Sequence, residues 1–335
     1  MRSGHNKSTP MPKIIPGPNL EVVLPPNLNH TYFAEAGRHP FRFRSQSFQL
    51  VNAWWLAEAA LLAYAEKEFA IPQFTTAGLT VEGTQPFSIG GSTQCYVAHN
   101  QDVVIVAFRG TQVLKPGGGK LPGEIWRQVV KDLWTDGKFR LTVSGQGGSV
   151  HEGFKKALDE VWEPLKAYLD GLKEEKPDRT FWFTGHSLGA ALATLAADRY
   201  GDVQGLYTFG SPLVGDEGFA RDFDVSGYRF VNNNDVVARI PLWGPNALNL
   251  MKWGRYEHVG LLKYIDETGK LFDNPSILER VQRGVGGQIQ LLREVMNQWS
   301  NGEFSDIPID CFNDHAPLYY ALRIWNCYEQ ELHGV

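Results

Sequence analysis

The chain has 335 residues, 43% of them hydrophobic and 21% charged, with a formal net charge of -5. That size supports one large core, and the lack of a basic stripe excludes a nucleic-acid-binding role. No apolar stretch reaches membrane-spanning length; the nearest, 53–65, is interrupted by Glu58.

Residues 1–40 carry Pro10, Pro12, Pro16, Pro18, Pro25, Pro26 and Pro40 and read as an extended arm with little regular structure. Ile14, Ile15, Val22, Val23 and Leu24 give this arm apolar points with which to wrap the rest, 41–335, expected to be a single domain. The first residues are polar and form no apolar signal-peptide core, so a cytoplasmic enzyme is expected, or one exported by another route. The three cysteines, Cys95, Cys311 and Cys327, form no CxxC pair, which fits a reduced compartment rather than a disulfide framework.

Ser47 to Phe69 reads as one helix, with Leu50, Trp54, Leu61, Leu62 and Tyr64 apolar and Glu58, Glu66 and Lys67 polar. Thr93 to Ala98 and Val103 to Phe108 read as a hairpin around His99-Asn100-Gln101-Asp102. The second strand is apolar on both faces, which marks a central position in a sheet. Pro116-Gly117-Gly118-Gly119-Lys120 lacks both the spacing and the following Ser or Thr of a phosphate loop. Ile125 to Trp134 has the pattern of a short amphipathic helix and 139–143 that of a strand. A long helix should run from His151-Glu152-Gly153-Phe154 to about Leu172, and no second histidine stands where a zincin motif would need it. Strands follow at 203–209 and 228–232, a hairpin at 258–265 and 270–272, an interrupted helix at 275–299 and a last helix at 316–332. Strands alternating with helices imply a largely parallel sheet covered on both faces, an α/β architecture.

The most informative stretch is Phe181-Trp182-Phe183-Thr184-Gly185-His186-Ser187-Leu188-Gly189 and the small-residue helix after it. A Gly-x-Ser-x-Gly turn between a β run and a helix is the context of a nucleophile elbow. The sharp turn lifts Ser187 off the sheet edge, and the helix start places free N–H groups beneath developing negative charge. A serine hydroxyl needs a histidine base, and the histidine a carboxylate to fix its tautomer. Asp235 directly follows the β run 228–232, whereas Asp202, Asp216, Asp222 and Asp224 look like helix or turn residues. His258 and His315 both come after Asp235, and periodicity does not choose between them. His186 adjoins Ser187, but neighbouring side chains on a sharp turn diverge, so a buried, hydrogen-bonded role is expected.

The segments Val106-Ala107-Phe108-Arg109-Gly110-Thr111, His151-Glu152-Gly153-Phe154, the elbow, 208–216, 230–241 and Asp314-His315 occur in this order. Together they make roughly residues 50–330 resemble the class 3 lipases, a branch of the α/β-hydrolases. That resemblance implies a mostly parallel central sheet and a serine carboxylic ester hydrolase acting on acylglycerols. Short-chain carboxylesterase, phospholipase A1 and an inactive hydrolase-fold binding protein are the alternatives. It implies Ser187 as nucleophile, Asp235 as orienting carboxylate and His315 as base, with oxyanion donors from Leu188 and Thr111. It also implies a lid within about 112–136 able to meet a lipid–water interface, and no metal or organic cofactor.

Overall fold

Alternation along single strands decides the layering. In Val103–Phe108, the residues Val103, Ile105 and Ala107 enter one hydrophobic core while Val104, Val106 and Phe108 enter another. In Thr180–His186, Trp182 joins the first core and Phe181 and Phe183 the second. Successive side chains of a strand point to opposite faces, so strands that are apolar throughout must be covered on both.

A computed structural model describes residues 12–82, 93–112, 141–145, 147–239, 256–275 and 313–334. Along the chain come helices α1 (Leu20–Val23), α2 (Leu50–Leu62) and α3 (Lys67–Thr76), then strands β1 (Thr80–Val81), β2 (Cys95–His99), β3 (Val103–Phe108), β4 (Leu141–Val143) and β5 (Ser149–His151). Helix α4 (Glu152–Glu175), strand β6 (Thr180–His186), helix α5 (Leu188–Tyr200), strand β7 (Gly205–Phe209), strand β8 (Gly215–Asp216) and helix α6 (Glu217–Asp222) follow. The order closes with β9 (Gly227–Asn232), a 3-10 turn (Val237–Arg239), β10 (Tyr256–Glu257), β11 (Leu261–Ile265), β12 (Leu271–Asp273) and α7 (Pro317–His333).

The main sheet has eight strands in the order β1-β2-β3-β6-β7-β9-β11-β12. From β3 to β11 every pairing is parallel, and the pairs at the two margins are antiparallel. Helices α2 and α7 cover the face that receives Trp182, and α4 and α5 the face that receives Phe181 and Phe183. This is an α/β-hydrolase architecture. Because β6, β7 and β9 are parallel neighbours, the loops leaving their carboxyl ends lie side by side.

Several expected elements are displaced. The helix read over 47–69 is two helices, α2 and α3, because the residues between them are pinned sideways. The Tyr64 hydroxyl bonds His186, and the Ala65 carbonyl accepts from the Tyr96 hydroxyl at 2.9 Å. The late hairpin is present as β11 and β12, with its first strand beginning at Leu261 rather than His258, and Tyr256–Glu257 ahead of it form a strand of a separate sheet of four strands in the order β10-β8-β5-β4. The described part of the arm departs from the extended reading: 12–19 carry no regular structure, Leu20–Val23 form α1, where Asn19 caps the N–H groups of Glu21 and Val22, and 32–39 fold into successive turns closed by bonds such as the Ala36 N–H to the Phe33 carbonyl at 2.9 Å. The helices expected at 125–134 and 275–299 lie outside the described residues, as does the expected lid past Gln112.

Candidate active site

Ser187 stands between β6 and α5 at φ 58° and ψ -129°. A non-glycine residue at positive φ is strained and persists only when its surroundings hold it there. Here the Ser187 N–H donates to the Phe209 carbonyl at 3.0 Å, and the flanking glycines permit the close approach. A Cβ on Gly185 would strike the backbone of Gly189, and one on Gly189 would strike the backbone of Phe108 and Arg109. Helix α5 is thereby seated against the end of β3, three residues before Thr111. Both Ser187 Oγ and Thr111 Oγ1 are buried and have no hydrogen-bond partner among the described residues.

Asp235 follows β9 and is fully buried. Its Oδ2 lies 2.8 Å and its Oδ1 3.0 Å from His315 Nδ1. Carboxylate oxygens only accept, so His315 Nδ1 carries the proton and its Nε2 is left as the basic nitrogen. The same carboxylate accepts the Val237 N–H on Oδ1 at 2.8 Å and the Tyr320 hydroxyl on Oδ2 at 2.5 Å. Burial, and then the neighbouring Asp235, push the Tyr320 phenol well above its ordinary range, which keeps it a donor. Gly210, after β7 at φ +57°, completes the enclosure. A Cβ there would lie 2.7 Å from Asp235 Oδ2 and 2.9 Å from His315 Nδ1.

The structure thus brings His315 against Asp235 and gives His258 another partner. His258 Nε2 bonds the Ala238 carbonyl at 2.9 Å, tying down the loop that follows Asp235. Three of the other carboxylates are engaged elsewhere. Asp216 caps α6 through the Phe219 N–H, Asp222 pairs with Arg221, and Asp202 pairs with Lys173.

His186 is buried and hydrogen-bonded. Its Nε2 lies 2.7 Å from the His315 carbonyl, which can only accept, so this nitrogen carries the proton. Burial holds the ring well below the usual histidine range and therefore neutral, so Nδ1 accepts from the Tyr64 hydroxyl at 2.8 Å. The two imidazoles lie with centroids 4.4 Å apart. A chain of contacts thus runs from the end of α2 through the elbow to the backbone of His315.

Sequence reasoning gave no part to Tyr64, Tyr320 or Gly210. Tyr64 sits in an apolar helical pattern and Tyr320 in another, so each reads as packing. The only available sign was a tyrosine five residues past His315, which carries little information alone.

Fold and elbow together define an α/β-hydrolase. Residues 105–244 match the family model described as lipase (class 3), and through this segment the chain is similar to the class 3 lipase family. A secreted mono- and diacylglycerol lipase 1 of Fusarium solani is 41% identical over 101 residues, 28% of this chain and 30% of that protein. A secreted mono- and diacylglycerol lipase A of Penicillium cyclopium is 29% identical over 184 residues, 51% of this chain and 54% of that one. The matched part of the chain therefore spans about a third to a half of these relatives' lengths. A crystal structure of a mutant MDLA from Penicillium cyclopium superposes with a TM-score of 0.51 at 25% identity, over 68% of this chain and 86% of that one. A Rhizomucor miehei lipase propeptide complex superposes with a TM-score of 0.50 at 22% identity, over 66% and 69%, which shows the fold.

These relatives correct one expectation. They are named as secreted, which overturns the cytoplasmic assignment. The thiols that suggested a reduced compartment carry no such information. Cys95 and Cys327 are free and buried, and a buried cysteine packs as a small hydrophobe in any compartment. Among the described residues no helix is long and apolar enough to cross a membrane.

Proposed function

We propose that the chain is an exported serine ester hydrolase that cleaves acylglycerols through an acyl-enzyme. The observation carrying this reading is the 2.8 Å contact between His315 Nδ1 and Asp235 Oδ2 on the loops flanking a strained elbow serine. Residues 41–335 act as one catalytic unit in this reading, with 1–40 as an arm laid over it.

Ser187 Oγ attacks the ester carbonyl while His315 Nε2 takes its proton, and Asp235 stabilises the imidazolium through Nδ1–H. The tetrahedral oxyanion is received by the Leu188 N–H at the start of α5 and by Thr111, through N–H and hydroxyl. A donor aimed at that position contributes on the order of 3–4 kcal/mol to the transition state. His315 then protonates the leaving alkoxide, and the acyl-enzyme is hydrolysed by water with His315 again as base. The names of the Fusarium solani and Penicillium cyclopium relatives support mono- and diacylglycerols as substrates, alongside triacylglycerols.

The test is hydrolysis of emulsified monoolein, diolein, triolein and tributyrin by wild type, Ser187→Ala, His315→Ala and His258→Ala. Turnover that disappears in the first two variants and survives in the third is the expected result. A dead His258→Ala with an active His315→Ala would reverse the base assignment. Wild type inert on every glyceride yet labelled at Ser187 by a fluorophosphonate would remove the acylglycerol assignment.

A further inference from the structure

The two loops that present Asp235 and His315 are joined by a residue that touches neither reacting group. Asp314 Oδ2 accepts the Asn233 side-chain amide at 2.9 Å and the Asn234 N–H at 3.1 Å. Its own carbonyl accepts the Asn232 amide at 2.8 Å. These bonds cross from the turn before α7 to three consecutive residues leading into Asp235, 80 to 82 positions away in sequence. The receiving loop is itself strained, with Asn233 at φ 41°.

We propose that Asp314 is a positioning residue, a clamp that sets the distance between Asp235 and His315. This rests on the hydrolase reading for its consequence in catalysis, though not for its geometry. A second bridge between the two loops is the Tyr320 hydroxyl, which holds Asp235 from α7. Without the clamp, the loop carrying Asp235 keeps β9 and the Asn233 N–H bond to the Ile265 carbonyl at one end, His258 on the far side and the Tyr320 hydroxyl on the carboxylate, and its tie to the residue next to His315 is gone. The carboxyl is in a costly place. Burial pushes it up to about 6, opposed by the Asn234 N–H, Arg323 and Asn233 and reinforced by Asp235. A group penalised by its surroundings and retained by bonds to a single loop fits a role in holding that loop.

A misplacement of about 1 Å in a catalytic constellation costs on the order of 100-fold in rate. Asp314→Ala should therefore lower kcat on a soluble p-nitrophenyl ester about 10- to 100-fold with KM little changed. Asp314→Asn keeps an oxygen able to accept both N–H groups and should stay within about 3-fold of wild type. The readout that does not need turnover is the downfield proton resonance of His315 Nδ1–H, identified by its loss in His315→Ala. It should be broadened or absent in Asp314→Ala and present in Asp314→Asn. Asn233→Gly removes one donor while keeping the left-handed backbone, and should likewise broaden the resonance, which keeps the test if Asp314→Ala does not fold. A sharp, unshifted resonance and unchanged kcat in Asp314→Ala or Asn233→Gly overturns the clamp. Should wild type fail to turn over esters, the hydrolase reading falls, and the resonance still decides the clamp.

Discussion

Tyr320 reaches Asp235 from the first turn of α7, and its oxygen also accepts the Asn232 N–H at 3.1 Å. One hydroxyl thus satisfies a buried backbone donor and fixes one of the two carboxylate oxygens. Tyr320→Phe keeps the ring, which lies 6.0 Å from Phe209 and 5.8 Å from His186 between centroids, and deletes the hydroxyl alone. Leaving two buried polar groups without that partner costs about 1–3 kcal/mol. If about half of that appears in the transition state, kcat falls roughly 3- to 10-fold. Steady-state kinetics on a soluble ester check this, with KM as the control, since the hydroxyl faces Asp235 and not the substrate. An unchanged kcat would mean that His315 and Val237 alone hold the carboxylate. Ser187 and Asp235 could be singled out from sequence because each ends a strand pattern. Tyr320, Tyr64 and Asp314 could not, because their partners lie across the fold.

Helix α4 shows what local pattern does and does not reveal. Leu158, Val161, Leu165 and Leu169 fall at helical spacing, and all four are fully buried against the sheet. That face was legible from the chain alone, as was the apolar run of β3. The split between α2 and α3 and the second sheet were not, since each depends on contacts with distant residues. The start of α4 carries a further device. His151 closes β5 and caps the helix, its Nδ1 accepting the Phe154 N–H at 3.3 Å while its ring stacks on Phe154 at 4.2 Å. A cap that accepts requires a neutral ring, and burial lowers the ring from the ordinary 6.5 to about 4. The folded state thus binds fewer protons than the unfolded state between those values. The stability from this residue is present above about pH 6.5 and lost as pH falls toward about 4, by on the order of 3 kcal/mol. His151→Asn retains an N-cap oxygen and does not titrate. It should melt below wild type at pH 7, where the stacking on Phe154 is missing, with the gap closing or reversing by pH 4.5. A constant gap across paired thermal melts would remove His151 from the acid response.

At the scale of the molecule, the arm and the last helix are stitched together on the face opposite α4 and α5. Lys13 exchanges two hydrogen bonds with Asn326, its N–H to Oδ1 at 2.7 Å and its carbonyl from Nδ2 at 2.9 Å. The Lys13 ammonium lies 4.9 Å from the centroid of Trp325 and 4.0 Å from Glu58 Oε1. Glu58 is fully buried on α2, and it also accepts from the Trp54 indole and pairs with His30 Nε2 at 2.8 Å. Burial alone would raise this carboxyl, yet His30 and Lys13 hold it below its usual range. The Tyr319 hydroxyl donates to the Pro16 carbonyl at 3.0 Å, one residue before Tyr320. The proline-rich composition announced an extended segment, but a buried charge on a distant helix awaiting its lysine leaves no trace in spacing. Removing residues 1–18 should therefore do more than trim a tail. It withdraws one cation from a buried carboxylate, for which a cost on the order of 1–3 kcal/mol is reasonable given that Lys13 is partly exposed. It also frees the first turn of α7, where Tyr320 meets Asp235. The truncated chain should melt at a lower temperature and lose part of its kcat. Glu58→Gln should cost less stability in the truncated chain than in the full chain, because the carboxylate has already lost Lys13 and keeps only His30 as a cationic partner. Melting temperatures across this double-mutant cycle measure the coupling between Lys13 and Glu58. Additive effects would show that the arm binds through its apolar residues, Val23, Leu24, Tyr32 and Phe33, and that its charge contributes nothing.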